Sequence, residues 1–145
     1  MTPDQASVVR DFLVPHLRAE YQRTRRVIKA VPEEQADYRP SGKCMSAKDL
    51  ATHLATIDIY FLQSVINGEF GAPDKAPFEG QTIATIVSEY DSRLPALVDR
   101  MEALPGEQLA AILKFHSFEL PAINFLQIMI VHGVHHRGQL SSYLR

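Results

Sequence analysis

The stretch that decides the fold is Val131-His132-Gly133-Val134-His135-His136-Arg137-Gly138-Gln139-Leu140, near the end of a 145-residue chain. It reads as helix, and a helix places positions four apart on one face. His132 and His136 therefore form a two-pronged clamp for a metal ion. With His132 at zero and about 100° per residue, Phe125 and Tyr143 fall near +20°, His136 near +40°, Met129 near +60° and Leu140 near +80°. The two histidines are expected inside this apolar stripe. His135, near -60°, falls at its edge and is left out of the ligand set.

A third imidazole, His53, lies in a second helical segment among Leu50, Leu54 and Ile57. It too is expected to point inward, slightly off-centre. Asp58 falls about 140° from His53 and should face away from it. Burying three imidazoles separately would require three hydrogen-bond partners in an apolar interior, whereas one shared divalent ion satisfies them together. Three neutral ligands and an open position suit catalysis, because such an ion lowers the pKa of water toward about 7 or holds a thiolate. Imidazole accepts zinc, nickel, iron or copper, with zinc the default for a redox-inert site.

The remainder of the chain reads as a set of long helices. Thr2-Pro3-Asp4 combines a capping hydroxyl, a proline in the first turn and an acid, and starts a helix expected to run to about Ala30. Ser46 with Asp49 forms a capping box for a helix to about Ile66, closed by Asn67-Gly68. Gly68 to Gly80 is too rich in glycine and proline for regular structure and is read as a long exposed connection. Thr82 opens a third helix, to about Ala103, with Ile83, Ile86, Val87, Tyr90, Leu94, Leu97 and Met101 as its apolar stripe. Pro15 and Pro95 are expected to bend their helices. Glu107 to Leu120 is ambiguous, with no convincing hairpin, and Pro121 opens the last helix. The reading is an all-α four-helix bundle, one domain over residues 1–145.

Composition narrows the function. Residues are 46% hydrophobic and 22% charged, ordinary for a globular protein, and the net charge of -2 provides no basic excess for phosphate contacts. Nucleic acid is thus disfavoured as a partner. One cysteine, Cys44, leaves no internal disulfide and no cysteine-built zinc site. No apolar run approaches the roughly 18 residues of a membrane span, and the N-terminus lacks a secretion signal, so a cytoplasmic protein is expected.

With these residues in view, the chain resembles the DinB/YfiT superfamily over nearly its whole length. The match is carried by His132, three residues, His136, then Arg137-Gly138-Gln139-Leu140, and by Asp49-Leu50-Ala51-Thr52-His53-Leu54 upstream. The resemblance implies an up-down-down-up bundle, commonly a homodimer, with His53, His132 and His136 holding zinc, nickel or a similar ion. It further implies a metal-dependent enzyme whose small-molecule substrate includes a low-molecular-weight thiol, as in bacillithiol transferases and mycothiol-dependent isomerases. Hydrolysis is the nearest enzymatic alternative, and a non-catalytic metal- or ligand-binding stress-response module is the alternative outside enzymes. Proteins of this family usually continue past the point matching Arg145.

Other residues carry weaker signals. Gln139 near -20° and Tyr143 near +20° share the face of His132, so either can orient an imidazole or bond a metal-bound group, and Tyr60 has a similar claim beside His53. Gly138 costs roughly 1 kcal/mol against alanine in a helix, which suggests another helix close by. Arg137 reads as an anion receptor or an ion-paired residue. His16 and His116 lack ligand spacing, and nothing marks Cys44 as activated.

Overall fold

A computed structural model describes all residues 1–145. Its elements are α1 (Pro3–Lys29), α2 (Ala47–Asn67), α3 (Ile83–Glu102), a short α4 (Gly106–Ala110), strands β1 (Ile112–Phe115) and β2 (Phe118–Pro121), and α5 (Ala122–Tyr143). Local chemistry sets the starts and stops. Thr2 with Gln5 and Ser46 with Asp49 form reciprocal capping boxes, and the Thr82 hydroxyl accepts from the Thr85 amide. Gly68, at φ 78°, ends α2 in the left-handed conformation that glycine adopts without steric cost.

The four long helices form a bundle in which each packs on two neighbours, in the ring α1, α3, α2, α5. Cross-helix pairs give their directions. Arg18 reaches Glu102 while Arg25 reaches Asp91, so α1 and α3 are antiparallel. His53 meets His132 and Tyr143 reaches Met45, so α2 and α5 are antiparallel as well. Asp58 meets Tyr90, and Ile66 near the end of α2 meets Gln108 of α4, which directly follows α3, so α2 and α3 run parallel. The topology is up-down-down-up. Parallel neighbours oblige the chain to travel back along the bundle, and the 68–82 connection is long for that reason.

Several expectations change. Pro121 caps α5 instead of opening its first turn, while Pro15 and Pro95 lie within α1 and α3 as expected. Residues 112–121 form a two-stranded hairpin, with Leu113 opposite Leu120 and Phe115 opposite Phe118. His116 turns it at φ 54°, a left-handed conformation uncommon for any residue but glycine. Phe115 then packs against Phe61, Phe70 and Phe125. Gly138 is exposed, and a Cβ there would touch nothing. The close approach is at Gly106, where a Cβ would lie 2.4 Å from the Pro3 carbonyl oxygen, so α4 can seat on α1 only through a glycine.

One core of 33 buried residues fills the bundle, including Leu50, Leu54, Phe125, Leu126 and Met129. Each such side chain contributes about 1.5–3 kcal/mol by leaving water. Asp58 faces away from the histidines, yet it faces this core and not solvent. Tyr90 donates to its Oδ2 at 2.5 Å, and both residues are buried. Burial raises the Asp58 carboxyl to about 7, against the lowering influence of Tyr90 and Arg137. A carboxyl raised in the fold stabilises it below the unfolded value near 4, and that contribution is lost as pH rises through 7. Urea unfolding of metal-free protein at pH 5 and pH 8 checks this: relative to Asp58→Asn, the wild type should lose about 2–4 kcal/mol across the interval. Equal pH dependence in the two proteins would contradict it.

Candidate metal centre

The buried face of α5 runs through Phe125, Leu126, Met129, Gly133 and Leu140, so its centre lies near +80° from His132. His132 and His136 therefore stand on the flank of the stripe, not in its middle, and are half-buried. The buried face of α2 likewise centres well beyond His53, on Leu50, Leu54, Phe61 and Val65. Two helices packed through their centres bring the same-side flanks together. That is where the three imidazoles meet, toward the end of the bundle where α2 begins and α5 finishes.

One ligand atom from each of His53, His132 and His136 lies within 4.8 Å of the other two. The Nε2 atoms of His53 and His132 are 3.2 Å apart. Two nitrogens bound to a tetrahedral zinc at 2.0–2.1 Å are about 3.3 Å apart, so this pair has the spacing that a shared ion requires. Without one, one imidazole must donate to the other. The chemistry of the donor set fits a divalent ion. No fourth His, Cys, Asp or Glu joins the cluster.

The residues around the three place themselves unevenly. The His136 Nδ1 edge faces Gln139 Oε1 at 2.7 Å; with Nδ1 protonated, it donates to the amide and Nε2 is free as a ligand. Tyr143 donates to the Met45 carbonyl at 3.2 Å and packs edge-on to Tyr38. Tyr60 donates to the Gly71 carbonyl at 2.8 Å and belongs to the aromatic group of Phe61, Phe70 and Phe115, so it orients no imidazole. Arg137 is engaged on the opposite flank of α5, by Glu20 at 2.6 Å and the Thr24 hydroxyl at 3.2 Å, and is no open anion receptor. His135, His16 and His116 are exposed.

A cavity of about 570 Å³ adjoins His53, lined also by Thr52, Thr56 and Ile57 of α2 and by the 39–45 and 73–75 loops. Cys44 lies in its wall, with Sγ 3.3 Å from Ser41 Oγ. Cys44 and His53 thus line one cavity, which a loop folding back over α2 encloses.

Comparison with known proteins places the chain in a family and agrees with its fold. A family model of the DinB superfamily matches residues 16–140. The chain belongs to the DinB superfamily. It is 23% identical over 137 residues to the uncharacterised Bacillus subtilis protein YjoA, covering 92% of this chain and 87% of that one. The crystal structure of that DinB-like protein superposes with a TM-score of 0.74 over 92% of this chain and 89% of its own. A DinB-like protein from Bacillus cereus gives 0.72 at 22% identity, over 87% and 84% of the two chains. These likenesses establish the bundle. No helix of this DinB protein is long and apolar enough to cross a membrane.

Burial, followed by the neighbouring His136 and His53, lowers the His132 pKa to about 4, and burial with His136 and Lys75 lowers that of His53. Both are thus neutral at pH 7, the form that binds metal. Lowered values also mean that these rings favour the fold above the unfolded value near 6.5 and lose that contribution on acidification, for His132 as pH falls through about 4. NMR titration of the metal-free protein should give a His132 midpoint near 4; a midpoint near 6.5 would show the ring to be solvated.

Proposed function

We propose that this DinB protein is a metal-dependent enzyme that activates a low-molecular-weight thiol for transfer to an electrophile. The observation that carries the reading is a three-imidazole cluster with no fourth protein ligand, opening beside a cavity large enough for a small molecule. A structural zinc site is closed by four protein ligands, whereas a catalytic one keeps a position open. His53, His132 and His136 would hold the ion, with zinc or nickel the candidates. When bound, a divalent ion on three neutral imidazoles supplies Lewis acidity, lowering the pKa of a thiol or water that reaches it.

The chain's own residues do the rest. Gln139 keeps the His136 ring turned so that one nitrogen is protonated and the other free. Leu50 and Leu54, close to His53 along α2, and Met129, one turn before His132 on α5, are buried and keep the core side apolar. In the reaction, the thiol gives up its proton, its sulfur forms a bond to the electrophilic carbon, and the leaving group departs with the bonding electron pair. No carboxylate joins the cluster as a base. The net change is one C–S bond formed, one bond to the leaving group broken and one proton released. The cytoplasm, where thiols stay reduced, is the fitting compartment. A homodimer, the usual state in the family, is the expected assembly.

Metal-loaded protein incubated with a panel of thiols and a generic alkylating electrophile should accelerate loss of free thiol, and His136→Ala should return the rate to background. Gln139→Ala should weaken metal affinity about 10- to 100-fold while leaving the fold intact. No acceleration with any thiol, together with turnover of activated esters, would move the assignment to metal-dependent hydrolysis. Retained metal with neither activity would leave a binding module.

A further inference from the structure

The cavity beside His53 has an electrostatic character that the chain as a whole lacks. On a protein of net charge -2, its wall carries Arg39, Lys43 and Lys75 against a single carboxylate, Asp49. Arg39 is partly neutralised by Asp49 at 3.2 Å. Lys43 and Lys75 have no such partner, since the lysine ion pairs of this protein are Lys48 with Asp37 and Lys114 with Glu119. The two free ammonium groups come from loops on either side of α2, one before it and one after. Lys75 and His53 line the same cavity.

Thr52 and Thr56 of α2 line the same cavity, and polar residues outnumber hydrophobic ones in its wall. Cationic groups at the rim, a polar wall and the His53 imidazole at one edge define a pocket for a polar anion.

We propose that this cavity receives the anionic part of the substrate, a carboxylate or phosphate held by Lys43 and Lys75, and that the thiol of the proposed reaction therefore carries such a group. The inference rests on the thiol-transfer reading for its sulfur, but not for its charge. Lysine suits the role as a mobile point charge, and the two loops supply it without disturbing the helices. A neutral thiol would reach the histidines with nothing to hold its far end.

The test uses cobalt(II)-loaded protein, in which thiolate binding produces a near-ultraviolet charge-transfer band. Mercaptosuccinate and neutral thioglycerol are titrated in parallel at low salt. Mercaptosuccinate should bind at least about tenfold more tightly. Lys43→Gln/Lys75→Gln should remove that preference, whereas Lys29→Gln, remote from the cavity, should keep it. Direct chelation of cobalt by the carboxylates would leave the preference in the double variant and would overturn the proposal, as would equal affinities in the wild type. Competition by succinate or by inorganic phosphate identifies which anion the pocket accepts. If neither thiol gives the band, the thiol reading fails separately, and calorimetry with succinate and phosphate decides: binding lost in the double variant upholds the anion pocket, and no binding of either overturns it.

Discussion

The antiparallel packing of α2 on α5 is the contact on which everything else rests. Its centre is apolar, with Leu50, Leu54 and Phe61 on one helix and Phe125 and Met129 on the other, and it buries side chains whose combined transfer free energy dwarfs any single polar contact. Because the centres meet, the flanks must meet. His53 lies on one flank of α2 and His132 and His136 on the facing flank of α5, so the cluster is a by-product of hydrophobic registry. A one-turn slip of either helix would move the imidazoles about 5 Å apart and dissolve it.

The other flank of α5 is built for the opposite purpose. Arg137, Glu20 and Thr24 tie α5 to α1, and Asp58 with Tyr90 ties α2 to α3. Gly133 packs beside this pair, at a distance where a Cβ would make ordinary contact, 3.6 Å, with the Asp58 carboxylate. Partnered polar groups in an apolar interior fix orientation more than they add stability, because desolvation consumes most of their attraction. The consequence for the site is rigidity: imidazoles held from behind by a pinned helix need little reorganisation to share a ligand.

What a sequence can disclose depends on how far apart the interacting residues are. Thr2, Ser46, Thr82 and Gly68 act within four residues of themselves, and the helix limits they imply stand in the structure. The His132 and His136 pair is equally local, and the apolar neighbours of His53 set its direction. The Asp58 contact to Tyr90 spans 32 positions, and the Arg137 contact to Thr24 spans 113; nothing near either residue announces its partner. The hairpin was hidden because Ile112 to Pro121 alternates too briefly to separate strand from loop, and it is held by Phe115 packing on residues of α2 and α5. Gly138 misled for a related reason: a glycine's cost in a helix is visible in the sequence, but whether anything approaches it is not.

The central claim is that three imidazoles from two helices share one divalent ion. It is tested most directly by elemental mass spectrometry of the untagged protein beside His53→Ala, His132→Ala and His136→Ala, with folding checked by circular dichroism. Near one equivalent of a divalent metal in the wild type and near none in each folded variant is the predicted result. A wild-type protein that takes up no metal after reconstitution, or variants that retain a full equivalent, would contradict the account.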